Sequence, residues 1–167
     1  FYCSSAWLPE IFISQGLDAS AAGWMVSVMQ FAQIPMTFVI PIIAGKLVSQ
    51  RPIVIFFTIC YLIGFTGVWL EWTSLAIVWM IFLGFAGGAS FGLVLMLFSL
   101  RTETAYDAAE LSGFAQSIGY LVAAIGPVLF GYVHDLTNSW SIPLLLFIVI
   151  SVLLFFASFM SANNRTI

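Results

Sequence analysis

Four uncharged polar side chains lie deep inside long apolar runs of this sequence: Gln30 and Gln33, three residues apart, and Gln116 and Tyr120, four apart. On a helix each pair shares one face. A carboxamide without a partner in hydrocarbon is costly, so these side chains must face protein or water. Two uses fit them: hydrogen bonds between helices, or hydrogen bonds to a polar solute held between helices. The second use makes Gln116 and Tyr120 the leading solute contacts, with Gln30 and Gln33 behind them.

Other chemistry is poorly served. His134-Asp135 is a neighbouring pair with no nucleophile, so it makes no triad. Gly84-Phe85-Ala86-Gly87-Gly88 lacks the preceding strand that a phosphate cradle needs. Cys3 and Cys60 are far apart and read as small core residues, not as a disulfide or zinc pair. Glu10 reads as an interfacial, solvated acid. Neither an enzyme nor a cofactor or metal site is expected.

These residues must be carried by membrane-spanning elements. Of 167 residues, 62% are hydrophobic and only 7% charged, and the mean hydropathy is +1.13. A soluble domain carries about 25% charged residues, so the solvent that fits is lipid. Six apolar segments are read at about 1–16, 21–45, 53–70, 75–100, 111–133 and 142–160. The last five contain no Asp, Glu, Lys, Arg or His, and each is near the roughly 20 residues that cross a hydrocarbon core. Uninterrupted apolarity on every face excludes a barrel. The expected fold is therefore all-α: a polytopic transmembrane bundle of six helices forming a single unit over 1–167.

Within it, small residues mark close approach. Gly88 and Gly92 share a helix face, and Gly126-Pro127 supplies a kink point. Pro41-x-x-x-Gly45 in the second segment and Pro127-x-x-x-Gly131 in the fifth hint at an inverted repeat. These residues are read as helix packing, or as points of sliding and bending.

Lys46, Arg51, Arg101 and Arg165 all fall on one side of the membrane, which the positive-inside rule makes cytoplasmic, together with the C-terminus. Trp7, Trp24, Trp69, Trp72, Trp79 and Trp140 fall near the opposite ends, as an external aromatic belt would. The net charge of −3, without a basic run, excludes nucleic acid as a partner. Phe1 opens inside an apolar stretch, with neither an initiator Met nor a charged leader, so a piece of a longer chain is expected.

The stretch holding Arg101, Ser112-Gly113, Gln116, Gly119-Tyr120, Gly126-Pro127, Gly131, His134-Asp135, Ser139-Trp140 and Pro143 resembles the last helices of major facilitator superfamily transporters. More narrowly it is similar to their cyanate permease and 2-nitroimidazole transporter subgroup. Trp7-Leu8-Pro9, Gly16-Leu17, Ala22-Gly23, Gln30 and Pro35 fit the same subgroup, and Trp7 joins the candidate solute contacts. The resemblance implies helices seven to twelve of a secondary active transporter in the plasma (inner) membrane. Such a protein works by alternating access on a small solute, such as the cyanate anion or a nitroimidazole. Its partners would be lipid, the solute and a missing N-terminal six-helix half. That half would supply any cation for an anionic solute and any titrating carboxylate. Where the family's cytoplasmic loop signature has Asp, this sequence has Ser49, between Gly45 and Arg51. Lys46 and Arg51 are placed to pair with Glu103 or Asp107, or to act only as topology determinants. The competing reading is a self-standing six-helix membrane protein acting as a homodimer.

Overall fold

A computed structural model describes residues 1–162. Arg165, counted above among the basic residues of one side, and the C-terminus itself lie outside them. Six α-helices follow one another: α1 (Tyr2–Ser14), α2 (Ala19–Lys46), α3 (Arg51–Trp69), α4 (Ala76–Leu100), α5 (Ala105–Thr137) and α6 (Ser141–Ser161). A 3-10 turn, Thr73–Leu75, leads into α4. No strand occurs among the described residues. Five of the helices, α2 to α6, are long and apolar enough to cross a membrane. With 13 residues, α1 is shorter than a full crossing at about 1.5 Å per residue.

The helix starts are set by capping. Asp18 accepts hydrogen bonds from the backbone N–H groups of Ser20 and Ala21, both at 3.0 Å, and opens α2. Thr104 caps α5 by accepting from the Asp107 N–H at 3.1 Å, while its hydroxyl donates to the Asp107 carboxylate at 2.6 Å. The cap draws Asp107 and Glu110 into the first turns, so α5 begins at Ala105 where apolarity alone suggested 111. At its far end α5 runs on to Thr137 and stops at Asn138, which takes the left-handed conformation (φ 48°). His134 and Asp135 are thus the last turn of a helix, not a connector.

Packing centres on α4. Gly84, Gly88 and Gly92 of α4 oppose the carbonyl oxygens of Met29, Gln33 and Thr37 of α2. Both series advance by four residues, so the two helices run in the same direction with their backbones in contact. A Cβ at Gly84 or Gly88 would collide with the facing carbonyl, and one at Gly92 would lie 3.1 Å from the Thr37 oxygen. Such spacing lets Cα–H groups meet carbonyls, which suits helices joined in lipid. On the other side of α4, Gly64 and Gly67 of α3 accept Leu83 and the ring of Trp79. α6 packs on α3, while α1 joins α2 to α5. α5 touches α4 and α6 only lightly and presents Phe114, Leu121, Val122 and Val128 outward.

At one end Gln50 ties the bundle together. Its amide donates to the carbonyls of Ala44 (3.2 Å), which also accepts the Leu47 N–H, and of Leu47 (3.0 Å) at the end of α2. Its oxygen accepts from buried Arg101 at 3.0 Å, and Arg101 also reaches the Ser161 carbonyl at 3.3 Å. The ends of α2, α4 and α6 and the start of α3 therefore meet where Lys46, Arg51 and Arg101 lie. Of the six tryptophans, Trp24, Trp69 and Trp72 are exposed, whereas Trp79 and Trp140 are buried in the bundle and Trp7 is half-buried.

Gly88→Ala should force α2 and α4 apart, costing on the order of 1–3 kcal/mol as overpacking does. Gly113→Ala, where a Cβ meets nothing within 4 Å, should be neutral or gain up to about 1 kcal/mol of helix propensity. Thermal unfolding in detergent reads both: the first midpoint should fall and the second should not.

Candidate functional site

A cavity of about 530 Å³ opens where α2, α3, α4 and α5 converge beside the start of α1. Gln33, Tyr61, Ser90, Gln116 and Tyr120 supply its polar groups, and Tyr2, Phe91 and Phe98 much of its aromatic surface. Not one of its lining residues carries a charge.

The polar groups are placed by backbone features. The glycine contacts hold Gln33 against α4, one turn from Ser90. Gly87 leaves a gap between them, where a Cβ would sit 3.3 Å from the Gln33 oxygen and 4.0 Å from the Tyr61 hydroxyl oxygen. Through this gap Tyr61 of α3 reaches the cavity, its hydroxyl 3.1 Å from Ser90 Oγ. Ser90 also donates to the Gly87 carbonyl at 3.1 Å. The Tyr61 ring stacks on Phe65 (5.8 Å, 4°), and Phe65 on Phe147 of α6 (4.6 Å, 2°), which fixes it from behind.

Across the cavity, Gln116 donates to Ser112 at 2.6 Å, leaving one amide hydrogen and the amide oxygen for other partners. Tyr120 meets Tyr2 edge to face at 6.3 Å. Pro127 has no N–H to offer the carbonyl four residues back, so the Ala123 carbonyl loses its helical donor, and Ala123 lines the same cavity. The arrangement can hold a small solute by neutral hydrogen bonds between aromatic walls; it offers no nucleophile–base pair.

Residues 1–166 match the family model of the Major Facilitator Superfamily. The chain belongs to this superfamily. It is 48% identical over 149 residues to an uncharacterized transporter, YycB, of Bacillus subtilis (strain 168), covering 89% of this chain and 37% of that protein. It is 37% identical over 154 residues to the 2-nitroimidazole transporter of Escherichia coli (strain K12), covering 92% and 39%. It is 26% identical over 136 residues to the cyanate transport protein CynX of the same organism, covering 81% and 35%. The chain thus spans less than two-fifths of the length of these relatives. No solved structure matches it significantly.

Seen as part of a major facilitator protein, the sequence candidates separate in space. Gln33, Gln116 and Tyr120 share the cavity. Gln30 is half-buried one turn earlier on α2 and does not line it. Trp7 is also outside it: its indole N–H donates to the Pro127 carbonyl at 2.8 Å, and its ring fits over Gly131 and beside Trp140. A Cβ at Gly126 would meet the Cys3 sulfur at 2.6 Å, so Gly126-Pro127 is where α5 seats on α1. Gly88 and Gly92 seat α4 on α2, and Gly45 makes room for Met96. Arg51 lies over the Phe159 ring at 4.6 Å, a cation–π contact, and Arg101 binds Gln50. His134 stacks on Trp140 at 3.9 Å and, with Glu10, lines a smaller polar cavity of about 300 Å³ near the opposite end.

Sequence reasoning missed Tyr61 and Ser90. Tyr61 is the one tyrosine in the third segment, and its hydroxyl at that depth needed a partner. Ser90 was hidden in a run of small residues. In a protein whose Cys3 and Cys60 are serine, a cysteine replacing Ala123 should react with a small water-soluble thiol reagent. One replacing fully buried Ala89 should not.

Proposed function

We propose that this chain is the C-terminal half of a secondary active transporter that carries a small planar heteroaromatic solute of the 2-nitroimidazole kind by alternating access. The observation that carries the reading is the cavity: neutral polar groups from α2, α3, α4 and α5 face one shared space. Carboxamides at this depth need a wet or protein-lined surrounding, and a second six-helix half would supply the facing wall. The apolar faces of α2 and α5, with Phe31, Phe38, Phe114 and Leu121 exposed, would supply surface for the partner half to slide on. The 2-nitroimidazole transporter among the relatives supports the solute class, and aromatic walls without charge suit a flat ring. An anion such as cyanate would need a cation from the other half.

The protein would lie in the plasma (inner) membrane with the end carrying Lys46, Arg51 and Arg101, and the C-terminus, in the cytoplasm. In intact cells, a cysteine at Asn138 should then be labelled from outside by an impermeant thiol reagent, and one at Ser49 should not. The reverse pattern would overturn the orientation.

In proteoliposomes of the complete transporter, Gln116→Ala should raise the KM for 2-nitroimidazole by about three- to tenfold, as loss of one or two neutral hydrogen bonds does, with insertion unchanged. Unaltered uptake kinetics would remove Gln116 from the site.

A further inference from the structure

We propose that the Tyr61–Ser90 hydroxyl pair is a hydrogen-bond acceptor that selects solutes presenting an N–H or O–H donor. The proposal deepens the transport reading above and rests on it. It comes from counting protons. A serine has one hydroxyl hydrogen, and Ser90 places it on the Gly87 carbonyl at 3.1 Å. Either hydroxyl could donate across the 3.1 Å between Tyr61 and Ser90; with the Ser90 hydrogen on the Gly87 carbonyl the donor is Tyr61, which accords with a phenol being the stronger donor of the two. With its hydrogen spent inward, the Tyr61 oxygen keeps only lone pairs for the cavity. The missing side chain of Gly87 leaves those lone pairs uncovered, with the Gln33 carboxamide across the gap.

The position is rigid. Tyr61 sits between Phe57 (6.4 Å, edge to face) and Phe65 (5.8 Å, stacked), and Phe65 in turn rests on Phe147. A solute lacking a donor would leave the phenol oxygen facing it unpaired, and a site built to hydrogen-bond discriminates against the analogue that lacks the group. Tyr61 therefore sets specificity from α3, a helix that also packs against α4 and α6.

The test compares 2-nitroimidazole, which has a ring N–H, with 1-methyl-2-nitroimidazole, which has none. Uptake and mutual competition are measured in proteoliposomes of the complete transporter, in buffer that keeps the ring N–H protonated. The wild type should favour the N–H compound by about three- to tenfold in kcat/KM. Tyr61→Phe, which keeps the ring stack, should bring the ratio near one by lowering kcat/KM for the N–H compound more than for the methylated one. Ser90→Ala frees the Tyr61 hydrogen to turn outward and should narrow the ratio as well. A Tyr61→Phe protein that retains the full preference, or a wild type that takes up both compounds equally, overturns this proposal and leaves the transport reading standing. A wild type that takes up neither overturns the transport reading itself.

Discussion

The contact of α4 with α2 governs where Gln33 and Ser90, the polar groups of one wall of the cavity, end up. Gly84, Gly88 and Gly92 bring α4 against the carbonyls of Met29, Gln33 and Thr37, so the two backbones touch. In lipid no hydrophobic drive pulls helices together, and close backbone approach is the main source of association. The same contact has a functional consequence. It holds Gln33 at the edge of α4, and Gly87, one position before Gly88, faces the gap where Gln33, Tyr61 and Ser90 converge. Packing and site are therefore one construction.

The opposite wall is built differently. α5 makes few contacts with α4 and α6 and is held chiefly through α1, where Trp7 bonds the Pro127 carbonyl and fills the space over Gly131. A firm wall of α2, α3 and α4 thus faces a lightly held one that carries Gln116 and Tyr120. Movement of one wall against the other would break few buried contacts. The proline of α5 adds a point of bending one turn beyond the cavity-lining Ala123.

Much of this was legible in the sequence. Long apolar runs without charge announced the helices, because no other element satisfies its own backbone in lipid. Gln33, Gln116 and Tyr120, which line the cavity, stood out in the sequence because an isolated polar side chain at that depth must be accounted for. Ends and partners were harder. α5 starts six residues before the expected 111, since a Thr104–Asp107 cap outweighs the charged character of that stretch. Trp7 was expected as a solute contact from the family resemblance, but its indole N–H is taken by a carbonyl 120 residues away. Tyr61 escaped notice because only tertiary packing shows its hydroxyl meeting Ser90 of another helix at the cavity.

The central claim is that this cavity holds the solute. Gly119 lines it, and a Cβ there meets nothing within 4 Å, so Gly119→Cys is sterically free. The decisive measurement is the alkylation rate of that cysteine, in a transporter lacking Cys3 and Cys60, with and without 2-nitroimidazole. The account predicts that the compound slows alkylation in proportion to its occupancy. An unchanged rate in a protein that still takes up the compound would place the solute elsewhere.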